Sequence, residues 1–304
     1  MLYSKIIVHP SDGYYQEETG GPVAHPPRRR YGIHLLLFFL TLLTTTGVGA
    51  MMAGKNPFLS LVGFASGFHF SLTIMGILGF HELAHYFTGR KWGIEVTPPY
   101  FIQAPFPPIG TFGAVIRMKS SIPNRRALVD VGVSGPIAGF VLSLIACVIG
   151  LHLSQVVALQ DRPGGLILGD SLLFKLLGWL VVGPVGPMQD IELSPIAFAG
   201  WIGLFVTALN LMPFGQLDGG HVLFAVSPKV HELLRRIRIP LLLLFGILLW
   251  EGWFVWAVLL FFIGGPHPYP DYMEEKLGKF RTALAVAALV IFILCAIPSP
   301  VKGG

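Results

Sequence analysis

Six stretches of this chain are apolar for about the length a helix needs to cross a lipid bilayer, and that feature limits its folds more than any other. Residues 32–50, a helix from Phe58 through the His81-Glu82 pair to Arg90-Lys91, and residues 127–150, 195–213, 239–263 and 282–298 carry few charges. A helix needs about 20 apolar residues to span the ~30 Å hydrocarbon core. A globular chain would break such runs into period-2 or period-3.6 patterns. Composition agrees: 53% of the 304 residues are hydrophobic and 12% charged, where a soluble domain carries roughly a quarter charged. The expected fold is an all-α polytopic membrane protein with about six transmembrane helices. One membrane domain is expected over 31–300, after a flexible, polar, cytoplasmic tail at 1–30.

In a soluble chain, a net charge of +5 would raise nucleic acid as a partner. Here the basic residues cluster between apolar runs, so they signal orientation, the bilayer is the partner, and no nucleic acid is expected. Arg28–Arg30 precede the first run; Arg90, Lys91, Arg117, Lys119, Arg125 and Arg126 follow the second; Lys229, Arg235, Arg236 and Arg238 follow the fourth. Two spans separate successive clusters, which places all three on the cytoplasmic side. Residues 151–194 hold few basic groups and fit the other side. Lys276, Lys279 and Arg281 conflict with this pattern if 239–263 is one span. Either the rule is weakly obeyed, or 239–263 is a re-entrant hairpin. The polar residues before the first run are too many and too acidic for a cleaved leader, so that run is expected to act as an uncleaved anchor. Cys147 and Cys295 each lie inside an apolar run and read as core residues.

Chemistry concentrates at His81-Glu82-Leu83-Ala84-His85. Positions i and i+4 share one helix face, so both imidazoles reach one metal ion. Zinc lowers the pKa of a bound water, and Glu82, beside the first ligand, is placed to accept its proton during attack on a carbonyl. Three ionisable groups directly after Gly76-Ile77-Leu78-Gly79-Phe80 are costly at membrane depth, and such groups are usually functional. A bland alternative is a histidine pair satisfied by nearby carbonyls.

A catalytic zinc commonly has three protein ligands. The candidate third is Asp218, in Asn210-Leu211-Met212-Pro213-Phe214-Gly215-Gln216-Leu217-Asp218-Gly219-Gly220-His221. Asp-Gly is also a common turn pair, so a turn role competes. Orientation favours the ligand, because spans two and four both end on the cytoplasmic side. That requires the apolar stretch 166–187 not to cross, and it is expected to be extracytoplasmic or re-entrant.

These motifs together resemble the site-2 protease family of intramembrane zinc metalloproteases. The resemblance covers roughly residues 70–275 and includes Gly110-Thr111-Phe112-Gly113-Ala114 and Ser134-Gly135-Pro136. Gly215–His221 is most similar to the PDZ-less cyanobacterial, plastid and archaeal branch. Membership implies Zn2+ held by His81, His85 and Asp218, Glu82 as general base, and transmembrane protein substrates. It also suggests that Asn210 contacts substrate or an oxyanion; the alternative for Asn210 is an interhelical hydrogen bond. The segment 151–194 is too short for the PDZ domain of many bacterial members.

The Pro-rich stretch 98–108 cannot continue a helix, and 111–119 predicts a short strand or hairpin near the site. Its edge is suited to pair with an unwinding substrate, or else to plug the site. His221 is either a neighbour of the ligands or structural. His69, three and a third turns before His81, is off the ligand face. Glu251 reads as mid-span, lining a water path or protonated. The main alternative function is a metal or ion transporter, which has no need of Glu82. The expected location is a cell membrane, with the site toward the cytoplasm; sequence leaves oligomeric state open.

Overall fold

The computed structural model describes residues 31–158, 167–263, 273 and 276–302; the expected tail at 1–30 lies outside them. Helix α1 covers Tyr31–Met52, and α2 (Leu61–Ala65) leads into α3 (Phe68–Lys91). Strands β1 (Tyr100–Gln103) and β2 (Thr111–Val115) precede α4 (Arg125–His152). Next come β3 (Gln155–Ala158), β4 (Ile167–Leu168), α5 (Leu172–Val181) and β5 (Gln189–Glu192). Helices α6 (Pro195–Asn210), α7 (Asp218–Val226), α8 (Pro228–Leu248), α9 (Gly252–Ile263) and α10 (Gly278–Cys295) follow, and β6 (Val301–Lys302) comes last.

Polar residues start several of these helices by accepting otherwise unpaired backbone N–H groups. Asn124 accepts from Ala127 at α4, Ser171 from Phe174 at α5, Ser194 from Ala197 at α6, and Ser227 from Val230 at α8. Pro195 and Pro228 occupy the first turn, where a missing N–H costs nothing.

Among the described residues, four helices are long and apolar enough to cross a membrane: α1, the α2–α3 pair, α4 and α10. Helix α6, with 16 residues, is shorter. At the centre α3, α4 and α6 pack through Phe70, Ile74, Leu78, Cys147, Leu151, Phe198, Ile202 and Leu204. Small residues let the backbones approach, as expected where lipid supplies no hydrophobic drive between helices. Gly203 faces Ser143 and Ile77, and Gly150 faces Ala197; a Cβ at either would overlap its neighbour.

The expected strand at 111–119 is β2, and its partner β1 lies inside the Pro-rich stretch, with Tyr100 opposite Val115 and Phe101 opposite Ala114. The hairpin docks along α1. The Gln103 amide donates to the Leu37 carbonyl at 3.0 Å, and Thr44 donates to the Gly110 carbonyl at 2.9 Å. Those contacts reach the middle of α1, so the hairpin sits at the depth of the helices.

The stretch 166–187 holds β4 and the ten-residue α5, about 15 Å long, too short to cross. The Ser194 hydroxyl donates to the Gly150 carbonyl at 2.8 Å, placing the start of α6 beside the end of α4. We call this end of the bundle the far face.

One expected span is different. Residues 239–263 do not form a single helix: the chain turns at Leu249–Glu251, and α9 folds back on α8 with Phe254 against Gly246. The Ser299 hydroxyl donates to the Leu249 carbonyl at 2.7 Å, and the Trp253 indole donates to the Pro298 carbonyl at 2.8 Å. The turn therefore lies at the far end of α10. Glu251 is exposed in that turn rather than mid-span, because the apolar run continues through a helix break that hydropathy does not register.

At its other end, α10 meets the start of α4. Arg281 donates to both Asp130 oxygens at 2.9 and 2.8 Å, and Arg126 donates to the Lys276 carbonyl at 3.1 Å. Lys276, Lys279 and Arg281 thus share a face with Arg125 and Arg126. The charge exception disappears once 239–263 is a hairpin.

Candidate metal centre

His81 and His85 lie one turn apart on α3 and are both buried, as is Glu82. Asp218 is the first residue of α7, half-buried, after the non-helical segment 211–217. That segment folds tightly onto the first turn of α7. A Cβ at Gly219 would overlap the Leu211 carbonyl, and one at Gly220 the Gly215 carbonyl.

His81 Nε2 is 3.1 Å from His85 Nε2, and Asp218 Oδ2 is 3.3 Å from the first and 3.2 Å from the second. Tetrahedral zinc with bonds of 2.0–2.1 Å sets its ligands about 3.3–3.4 Å apart. The three atoms nearly match the edges of that tetrahedron.

The donor chemistry agrees. His85 Nδ1 lies 2.8 Å from the Val131 carbonyl, which only accepts, so Nδ1 carries a proton and donates it. In the neutral ring, Nε2 then holds a lone pair. It faces a second imidazole nitrogen and a carboxylate oxygen. A cation satisfies three converging lone pairs, and a carbonyl that fixes the ligand tautomer is the usual outer support of a metal-bound histidine. The residues fit zinc.

Helix α4 holds the centre in place. Gly135 lies directly under the His85 ring, where a Cβ would overlap it, and Gly139 lies under His81. Ser134 donates to the same Val131 carbonyl at 2.9 Å. Ile116, just past β2, lies near Glu82, so the hairpin reaches the candidate base. Asn210, the last residue of α6, brings Nδ2 to 3.3 Å from His81 Nε2.

All five residues singled out for the site therefore meet: His81, Glu82, His85, Asn210 and Asp218. His221 is half-buried on the first turn of α7, beside Gly132 of α4. His69 is exposed at the start of α3, ~18 Å along the helix from His81. Sequence reasoning missed Val131, whose contribution is a backbone carbonyl. It noted Gly135 within a motif but gave it no task.

A model of peptidase family M50 matches residues 69–249, which include the whole constellation. This chain belongs to peptidase family M50. The finding bears out the resemblance to site-2 proteases. Similar curated proteins include the probable zinc metalloprotease EGY2, chloroplastic, of Oryza sativa subsp. indica. It is 32% identical over 242 residues, which are 77% of this chain and 43% of the relative. The probable zinc metalloprotease EGY1, chloroplastic, of Arabidopsis thaliana is 32% identical over 243 residues, 74% of this chain and 42% of the relative. The probable zinc metallopeptidase EGY3, chloroplastic, of the same plant is 25% identical over 292 residues, 84% of this chain and 48% of the relative. This M50 chain thus spans less than half the length of these relatives. No solved structure matches it.

Proposed function

We propose that this M50 chain is an intramembrane zinc metalloprotease that cleaves transmembrane segments of other membrane proteins. The observation that carries this reading is the convergence of His81, His85 and Asp218 at zinc-ligand spacing, inside the helical bundle, with Glu82 beside them. Zinc held there supplies a Lewis acid that acidifies a water and polarises a peptide carbonyl. Glu82 takes the proton from the attacking water and returns it to the departing amide nitrogen. Asn210, already against His81, offers an amide donor to the carbonyl oxygen as it gains charge.

A helical substrate hides its carbonyls in its own hydrogen bonds, so cleavage requires local unwinding. The β1–β2 hairpin supplies a template for the unwound chain. Its sheet has two strands, and among the described residues no strand pairs with the outer edge of β2. The Arg117 carbonyl accepts from Thr97 and faces inward. Alternation along the strand then points the Ala114 N–H and carbonyl to the open edge. A substrate strand paired with Ala114 runs on toward Glu82.

The catalytic domain is read as residues 31–300, with 1–30 as a tail. The basic residues between the apolar runs support a site toward the cytoplasmic face of a cell membrane; the relatives' names instead carry a chloroplast location.

The test is cleavage of a reporter transmembrane helix by purified protein. Glu82→Gln is expected to keep zinc and lose about 10²–10⁴-fold in rate. Equal cleavage by that variant would remove the mechanism. Ala114→Pro deletes an edge N–H and is expected to slow cleavage of the helix; unchanged cleavage with intact fold argues against strand addition.

A further inference from the structure

Two polar side chains from other helices hold the segment carrying Asp218. His231, on α8, is fully buried, with a relative exposure of 2%. Its Nε2 lies 3.2 Å from the Gly215 carbonyl, three residues before Asp218, and donates to it. The same ring packs edge-on against Phe224 of α7, with centroids 5.3 Å apart. One side chain thus grips the segment on both sides of the ligand. Gly215 has φ +57, a left-handed turn, so its carbonyl is aimed by a backbone conformation few residues adopt.

The second anchor is Arg125, at the start of α4. Its Nε donates to the Ala225 carbonyl and its second guanidinium nitrogen to the Val226 carbonyl at 2.9 Å. These are the last carbonyls of α7, which a cation at a helix end satisfies. Helix α7 has nine residues, with the ligand at one end and this cap at the other.

We infer that His231 is a positioning residue for Asp218, with Arg125 supporting it, because together they hold segment 211–226 where the carboxylate meets the two imidazoles. The inference rests on the reading of Asp218 as a zinc ligand. Without the bond to Gly215, the 211–217 segment keeps the packing of Met212 and Phe214 with Leu242 of α8 but loses its polar tie to that helix, and Asp218 is held less closely. Zinc coordination tolerates only about ±0.2 Å.

The test measures zinc affinity of the full-length chain in detergent by competition with a chromophoric chelator. His231→Leu is expected to weaken zinc binding about 10–100-fold, the usual loss for outer partners of a metal site. His231→Gln, which keeps an N–H donor, is expected to recover most of it. Wild-type affinity in His231→Leu overturns the inference, and so does an equal loss in both variants. If His231→Leu does not fold, Arg125→Met, at a half-buried position, is read the same way: weaker binding supports the inference and unchanged binding overturns it. Failure of the underlying reading is distinguishable. In that case wild-type protein takes up no zinc, or Asp218→Asn binds as tightly as wild type, and the inference falls with the reading.

Discussion

Gly135→Ala tests the site through a single added methyl group. A Cβ there would stand 2.6 Å from His85 Cε1 and closer still to Nε2 and Cδ2, all of them ring atoms. Ordinary contact begins at 3.4 Å. The ring must therefore shift by about 0.8 Å or more, several times the ±0.2 Å that a zinc ligand tolerates. It has no easy way to yield, because Nδ1 is tied to Val131 and Nε2 faces Asp218. One ligand of three is lost, so zinc affinity is expected to fall at least about 100-fold, roughly 2.7 kcal/mol. Gly139→Ala, one turn along α4, provides a graded comparison. Its Cβ would lie 3.1 Å from His81 Nδ1, a misfit of a few tenths of an ångström, and the expected loss is several-fold at most. Gly76→Ala on α3 meets nothing within 4 Å and is expected to leave zinc binding unchanged while favouring the helix by up to about 1 kcal/mol. Chelator competition gives the affinities, and reporter cleavage gives the rates. Wild-type affinity and rate in Gly135→Ala would refute the wedged-ring geometry.

Three further outcomes are expected. Zinc at 100 times its Kd should stabilise the wild-type protein by about 2.7 kcal/mol, and Asp218→Asn should abolish this zinc-dependent rise in melting temperature; a persisting rise would remove Asp218 from the ligand set. Asp130 accepts from Arg281 through both oxygens and from the Trp92 indole at 3.2 Å, so Asp130→Ala should destabilise the chain to denaturant by about 1–3 kcal/mol. Arg281→Lys should lose part of that stability, because an ammonium cannot make the two-pronged contact; wild-type stability in both variants would show the pair to be incidental.

The candidate metal centre was legible in the sequence because each candidate ligand carried a local signal. His81 and His85 were paired by helical periodicity, and Asp218 lay in a Pro- and Gly-rich break after an apolar run. Orientation then brought the two motifs to one side. What remained hidden depended on tertiary contact. Strand β1 lies among prolines that argue against regular structure, and its pairing with β2 is visible only across the hairpin. The turn at Leu249–Glu251 lies inside a run that stays apolar on both sides, so Glu251 read as a mid-span carboxylate. Val131 acts through a carbonyl, and Gly135 through the absence of a side chain. Neither has a residue type that announces its task.

The short α6 explains why the two halves of the site meet at depth. Its 16 residues extend ~24 Å, less than the ~30 Å hydrocarbon core. Starting at the far face beside Gly150, it stops short of the basic face, and Asn210 and the following segment remain inside. The histidines arrive at a similar depth by the opposite route. His85 lies six residues before the end of α3 at Lys91, ~9 Å from the basic end. Irregular backbone at membrane depth is tolerated only when packed in protein, and Leu211, Met212 and Phe214 are all buried. A full-length α6 would carry Asp218 past the imidazoles and out to the basic face. The shortness of α6 and the mid-helix placement of His81 and His85 on α3 are therefore two parts of one requirement.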